Sequence, residues 1–214
     1  PSLNICVQTY TCPGDKIIVQ SPVYYPFFSA VENNGRRIVK NPLIYKDNRW
    51  QMDLADLRRK IDGRTRMLIL CSPHNPVGRV WSREELEDLA EIIIEHDLLL
   101  VSDEIHEEHV YRGFKHLPIS SLSPEIADRT ITLTAASKAF NIAGLTTSIA
   151  IIPNEKLLNL YNIQTANLGL TTGNIFGLVA LEAAYTHGQA WIEQLVEYLE
   201  GNMEFARRFF EERL

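Results

Sequence analysis

Residues 82–102 read SREELEDLAEIIIEHDLLLVS, and this segment decides the fold class. Ser82 precedes an apolar pattern of helical period, and Glu85 three residues later completes a capping-box signature for a helix over Arg83–His96. The run Leu98–Ser102 follows at once and shows no alternation of apolar with polar residues. Such a short strand is buried on both faces, as in a parallel sheet covered by helices. The segment therefore predicts a helix that packs on a sheet and leads into one of its buried strands.

The rest of the chain repeats this alternation of short apolar runs with longer helical patterns. Strands are predicted over Lys16–Gln20, Arg37–Lys40, Met67–Cys71, Leu98–Ser102, Thr130–Thr134 and Ser148–Ile152. Helices are predicted over Leu3–Tyr10, Pro26–Glu32, Leu54–Ile61, Arg83–His96 and Glu155–Thr165, and throughout the chain after Thr172. This order indicates a three-layer α/β/α domain with a mostly parallel sheet. In such a sheet the ligand site lies at the carboxyl ends of the strands.

Composition excludes several classes of function. The 214 residues are 45% hydrophobic and 22% charged, which is ordinary for a globular protein. A net charge of −6, with Arg and Lys scattered, argues against a nucleic-acid partner. Cys6, Cys12 and Cys71 lack metal-ligand spacing and are expected to be buried thiols in a reducing compartment. No apolar run approaches the roughly 20 residues that span a bilayer, and no signal peptide is recognisable, so we expect a cytoplasmic protein.

Two ionisable residues follow neighbouring predicted strands. Asp103 comes directly after Leu98–Ser102, and Lys138 follows the small residues Ala135, Ala136 and Ser137 after the next strand. The carboxylate of Asp103 can cap a helix or form a structural ion pair, or it can keep a heterocyclic nitrogen protonated. The amine of Lys138 can extend to solvent, or it can be a semi-buried amine that forms a Schiff base. Neither residue decides between its two interpretations alone.

Two further strand ends carry Asn75 and Tyr24. Pro73 and Pro76 restrict the backbone on either side of Asn75, which directs this side chain to a fixed point above the sheet. Tyr24 is followed by Tyr25; such rings belong to a core more often than to a site, but one of them can stack on a flat cofactor. The joint order of tyrosine, asparagine, aspartate and lysine matches the chemistry of pyridoxal 5'-phosphate (PLP). That cofactor needs a Schiff-base lysine and a carboxylate at its pyridine nitrogen.

Four stretches resemble the fold-type I PLP enzymes of the class I/II aminotransferase superfamily, and most closely the MalY/PatB group of cystathionine β-lyases. These stretches are Pro13–Phe27, Cys71–Trp81, Ser102–His106 and Ser137–Leu145. The resemblance covers essentially the whole chain. It implies a PLP-binding large domain in an enzyme that cleaves carbon–sulfur bonds.

The resemblance also implies a role for each matched residue. Lys138 corresponds to the lysine that binds PLP covalently and moves the proton at the substrate Cα. Asp103 corresponds to the carboxylate on the pyridine nitrogen, Asn75 to a hydrogen-bond donor on the ring oxygen O3', and Tyr24 to the stacked ring. Ser137 is a candidate phosphate contact.

Two further expectations concern the assembly and the limits of the chain. Because the family forms homodimers with shared sites, Asn174 is expected to face the site of a partner subunit. Residues 1–186 are expected to be a large-domain fragment, and residues 187–214 to begin a long helix that leads to a smaller domain. A phosphate loop upstream and a carboxylate-binding arginine downstream would complete the site. We therefore expect this chain alone not to turn over amino acids.

Two departures from ordinary aminotransferases concern the reaction. Thr146 stands where an arginine commonly binds the phosphate, eight residues after the lysine. His106 stands where a tyrosine commonly follows the aspartate, and it can equally be a packed core histidine. Both favour a C–S β-lyase that converts L-cysteine derivatives such as cystathionine to a thiol, pyruvate and ammonia. Two alternatives stay open: a class I/II aminotransferase, and a PLP-fold ligand-sensing domain of a regulator.

Overall fold

The computed structural model describes residues 1–213 and contains the predicted sheet. Six strands form it in the order β2-β1-β5-β6-β7-β8; all neighbours are parallel except β7 and β8, which are antiparallel. A separate antiparallel hairpin joins β3 and β4. The strands are β1 Lys16–Val19, β2 Arg37–Lys40, β3 Ile44–Lys46, β4 Arg49–Gln51, β5 Thr65–Cys71, β6 Leu99–Asp103, β7 Thr130–Thr134 and β8 Ile149–Ile151.

Helices cover both faces of this sheet. Their bounds are α1 Ser2–Tyr10, α2 Pro26–Glu32, α3 Leu54–Lys60, α4 Arg83–Glu95, α5 Pro124–Ala127, α6 Glu155–Asn167, α7 Ile175–His187 and α8 Gln189–Arg213. The capping box of α4 is present: the Ser82 hydroxyl accepts from the Glu85 backbone N–H at 3.2 Å, and the Glu85 carboxylate accepts from the Ser82 N–H at 2.8 Å. Within residues 1–213 no helix combines the length and apolar character needed to cross a membrane.

The core consists of two apolar layers, one on each face of the sheet. One layer joins β1, β5, β6 and β7 to α1, α2 and α6, and the other joins the same sheet to α3, α4 and α5. Leu68 and Leu70 point to one layer, whereas Met67, Ile69 and Cys71 point to the other. Strand β5 therefore buries both of its faces, which explains its continuous apolar sequence. The three-layer α/β/α prediction is confirmed.

The predicted strands all occur, with ends that differ by at most a few residues. The hairpin of β3 and β4 was not predicted; Asp47 and Asn48 form its turn with φ of 52° and 59°. Two turn-forming residues in the left-handed region between β-favouring segments are the local signal for such a hairpin. The cysteine prediction is wrong for Cys12, which is exposed; it lies in the turn after α1, where its backbone N–H donates to Asp15.

Gly177 is the one fully buried residue of helix α7, and it packs against the 145–147 turn. A Cβ at this position would overlap the Thr147 hydroxyl and lie 2.9 Å from the carbonyl oxygen of Leu145. We expect Gly177→Ala to lower the free energy of unfolding by about 1–3 kcal/mol in urea titrations, because it forces α7 away from the 145–147 turn. Gly201→Ala in α8, where a Cβ meets nothing within 4 Å, is the control and should stabilise by up to about 1 kcal/mol. Equal effects of the two substitutions would contradict this packing.

Candidate functional site

The carboxyl ends of β1, β5, β6 and β7 open into one cavity of about 460 Å³. Parallel strands end at the same edge of a sheet, so residues distant in sequence meet there. The side chains predicted as candidates that line this cavity are Tyr24, Asn75, Asp103, His106, Ser137 and Lys138. The fold thus brings together six of the seven candidates.

Asp103 is the last residue of β6 and lies in the wall of this cavity. Its carboxylate accepts a hydrogen bond from the Ile105 backbone N–H at 3.3 Å. Burial raises the pKa of Asp103 to about 6, while the Ile105 hydrogen bond and the charge of Lys138 act in the opposite direction. Because ionising this buried carboxyl group is costly, a cation or a hydrogen-bond donor in the cavity would stabilise its charged form.

Lys138 lies in the turn after β7 and faces both cavities of this edge. Its side chain is exposed, and within residues 1–213 its ammonium group has neither a hydrogen bond nor an ion pair. A primary amine without a structural partner, close to a carboxylate, is free to react with a carbonyl compound that enters the cavity.

Asn75 and Tyr24 occupy two loops that are joined by hydrogen bonds. The Tyr24 backbone N–H donates to the Asn75 carbonyl at 3.2 Å, and a ring nitrogen of His74 lies 2.9 Å from the Pro22 carbonyl oxygen. His74 is buried and packs edge-on against Trp81. These contacts hold the amide of Asn75 and the ring of Tyr24 on one side of the cavity.

His106 lies between the first cavity and a second cavity of about 670 Å³. Its ring centroid is 5.8 Å from that of His109. Burial lowers the pKa of His106, and the charges of His109 and Lys138 act in the same direction. His106 is therefore a half-buried residue of the cavity wall whose environment disfavours its protonated form.

Asn174 is the candidate that lines neither cavity. Its side-chain oxygen accepts from the Phe176 backbone N–H at 3.1 Å, and its amide donates to the Leu145 carbonyl at 3.1 Å. The residue therefore caps α7 and ties it to the 143–147 turn. Its contact with a partner subunit stays a prediction.

Several wall residues were not predicted from sequence. Ser2, Leu3 and Asn4 bring the amino terminus of α1 to the first cavity, and Thr134, Thr146, Thr147 and Ser148 line it from the β7–β8 side. Thr146 adopts a left-handed conformation with φ of 52°. A run of hydroxyl residues around a strand end was the available signal, but such runs are common in loops.

Comparison with known proteins agrees with this arrangement. The family model for aminotransferases of class I and II matches residues 2–213. The chain belongs to this family. Cystathionine β-lyase PatB of Bacillus subtilis is 45% identical over 214 residues, which is the whole of this chain and 55% of that protein. Kynurenine–oxoglutarate transaminase 3 of Rattus norvegicus is 34% identical over 175 residues, 78% of this chain and 38% of that protein.

A solved structure shows the same fold. Cystalysin from Treponema denticola, which contains a pyridoxal 5'-phosphate cofactor, superposes with a TM-score of 0.96 at 36% identity. The match covers 99% of this chain and 54% of cystalysin. The chain spans about half the length of the curated relatives it matches.

Proposed function

We propose that this chain is the cofactor-binding part of a PLP-dependent C–S β-lyase that acts on L-cysteine derivatives. The main support for this proposal is that Asp103 and Lys138 line the same cavity as Asn75 and Tyr24. In this proposal residues 1–186 form the large domain, and α8 begins the connection to a second domain. The break between α7 and α8 at Gly188 supports that boundary.

The cavity residues fit PLP, which is a flat ring with a basic nitrogen, an aldehyde, a phenolic oxygen and a phosphate. A volume of about 460 Å³ suits a small cofactor. The carboxylate of Asp103 offers a partner for the ring nitrogen, and the otherwise unpaired amine of Lys138 offers one for the aldehyde. The amino terminus of α1, with its free backbone N–H groups beside Ser2, favours an anion such as phosphate.

When bound, PLP supplies an electron sink that stabilises negative charge at the substrate Cα. Asp103 would keep the ring nitrogen protonated, and the burial that raises its pKa supports a cationic partner for its charged form. Asn75 would donate to the ring oxygen, Tyr24 would stack on the ring, and Ser137 would contact the phosphate. His106 forms the wall on the side of the second cavity.

Lys138 performs the acid–base step in this proposal. The amine of Lys138 would take the proton from the substrate Cα as a general base. The electrons of the broken C–H bond form the Cα–Cβ double bond, and the Cβ–S pair leaves with sulfur, which takes up a proton to become a thiol. Water then releases pyruvate and ammonia. Cystathionine plus water thus gives homocysteine, pyruvate and ammonia.

A homodimer is part of the proposal. The solvent-facing side of α7 is apolar: Ile175, Phe176 and Val179 are 75%, 78% and 62% exposed. Side chains of this kind in a continuous patch mark interaction surfaces. Asn174 begins the same helix, which supports its assignment next to a partner's site.

Transamination is the second candidate, because the transaminase of Rattus norvegicus shares 34% identity with this chain. It differs in that the proton from Cα is returned to the cofactor and no Cβ–S bond breaks. Thr146 and His106 in place of the usual arginine and tyrosine favour the lyase.

Turnover assays distinguish these reactions. With cystathionine, the whole protein that contains this chain is expected to release thiol and pyruvate in equal amounts without 2-oxoglutarate. The isolated chain with added PLP is expected to release neither, since no arginine lines the first cavity to bind the substrate carboxylate. Turnover that requires 2-oxoglutarate would support the transaminase, and pyruvate release by the isolated chain would contradict its assignment as an incomplete enzyme.

A further inference from the structure

A fully buried carboxylate lies directly behind the candidate site. Glu104 follows Asp103 and is 0% exposed. One of its oxygens accepts from the Ser102 hydroxyl at 2.8 Å, and the other lies 2.7 Å from Nε2 of His116, whose side chain is 8% exposed. Neither Glu104 nor His116 lines either cavity. An unpaired carboxylate would be very costly here, so both contacts are needed to keep it buried.

The Glu104–His116 pair closes a loop that lines both cavities. The two residues are 12 positions apart, and between them Ile105 and His106 line the first cavity. His109 to Tyr111 and Phe114 line the second cavity. The pair therefore fixes the two ends of the segment that carries these wall residues.

Glu104 and its hydrogen-bond partner Ser102 also bracket Asp103 in the chain. Ser102 and Glu104 are its two neighbours, and alternation along a strand places their side chains on the face opposite to that of Asp103. The backbone is held on both sides: the Ser72 N–H donates to the Asp103 carbonyl at 3.0 Å, and the Glu104 N–H donates to the Leu133 carbonyl at 2.8 Å. The hydrogen bond between the side chains of Ser102 and Glu104 therefore restricts rotation of Asp103 away from the cavity.

Charge links Glu104 to Asp103 as well. The negative charge of Glu104 acts with burial to raise the pKa of Asp103, while the charge of Lys138 lowers it. His106 shares the cavity with Asp103, and burial lowers its pKa. Loss of the Glu104 charge therefore lowers the proton affinity of groups at this end of the cavity.

We propose that Glu104 and His116 are positioning residues that hold Asp103 and His106 in place for the cofactor and set the charge behind Asp103. This inference rests on the proposed function, since it assumes that Asp103 faces PLP. It adds two residues that touch neither cofactor nor substrate, and it assigns them an electrostatic role in addition to a structural one.

The test compares Glu104→Gln with wild type and with Glu125→Gln, which removes one exposed carboxylate elsewhere. Each variant is made in the whole protein that contains this chain and is titrated with PLP, and the absorbance of the lysine-bound cofactor is followed against pH. We expect Glu104→Gln to weaken PLP binding about tenfold and to move the pH midpoint downward by up to about one unit. Glu125→Gln should change neither. His116→Asn, whose shorter side chain cannot reach Glu104, should weaken PLP binding to a similar degree.

The outcomes separate this inference from the proposed function. No borohydride-stable adduct in the wild type would overturn both. With an adduct in the wild type, an unchanged dissociation constant and midpoint in a folded Glu104→Gln chain would overturn the inference alone. Weaker binding without a shifted midpoint would overturn the electrostatic role. If Glu104→Gln does not fold, wild-type PLP affinity in His116→Asn would overturn the positioning role.

Discussion

Replacing Lys138 with alanine is expected to abolish covalent attachment of PLP to this chain. Lys138 is the sole lysine that lines either cavity within the described residues, and its amine has no structural partner there. Only a primary amine at this point can condense with the PLP aldehyde. After incubation with PLP, reduction with borohydride and digestion, mass spectrometry should find the adduct on residue 138 of the wild type and none in Lys138→Ala.

Two companion variants define what is lost in Lys138→Ala. Lys156→Ala removes an exposed lysine of α6 and should carry the wild-type adduct. Lys138→Arg keeps a positive charge but cannot condense with an aldehyde, so it should bind PLP reversibly and release it on denaturation after reduction. A wild-type amount of reduced adduct in Lys138→Ala would show that another lysine binds PLP, and the assignment of the site would be wrong.

The fold was predictable because its signals are local. Apolar runs such as Met67–Cys71, which are buried on both faces, and the capping box at Ser82 each specify an element within a few residues. Parallel pairing and right-handed crossovers then leave few ways to arrange alternating helices and strands. The hairpin at Asp47 and Asn48 was missed because its strands are three-residue segments, one exposed and one only partly buried, without an alternating apolar pattern.

The site was predictable to a smaller extent. Asp103 and Lys138 follow neighbouring strands, so strand order alone brings them to one edge of the sheet. Glu104 and His116 could not be paired from sequence, because their contact depends on the path of an irregular loop. The α1 end of the cavity likewise depends on how this helix packs against α2 and α6, which no local pattern encodes.

Asparagine in place of Asp103 is expected to weaken PLP binding and to stabilise the cofactor-free chain. Hydrogen bonds to charged groups contribute about 1.5–3 kcal/mol, so loss of the charged partner of the ring nitrogen should raise the PLP dissociation constant roughly tenfold to hundredfold. Titration of PLP absorbance measures this change. Asp88→Asn, at an exposed position of α4, is the matched control and should bind PLP as the wild type does.

The gain in stability follows from the pKa of Asp103. Its value of about 6 in the folded chain lies above the ordinary value of 3.8, so the folded state binds this proton more tightly than the unfolded state. Ionised Asp103 therefore destabilises the cofactor-free fold: the penalty is absent below about pH 4, grows as the pH rises to 6 and is constant above it. Its size is on the order of 1–3 kcal/mol, because the side chain keeps some contact with solvent.

Urea unfolding at several pH values tests this expectation. Without PLP, Asp103→Asn should be more stable than wild type at pH 8 and equal to it near pH 4, whereas Asp88→Asn should match wild type at both. With saturating PLP the advantage of Asp103→Asn at pH 8 should shrink by about 1.4–2.7 kcal/mol, since wild type gains more from the bound cofactor. An ionised carboxylate that destabilises the cofactor-free fold but strengthens cofactor binding is expected at a cofactor site. Lower stability of the cofactor-free Asp103→Asn chain at pH 8 would instead make Asp103 a structural residue.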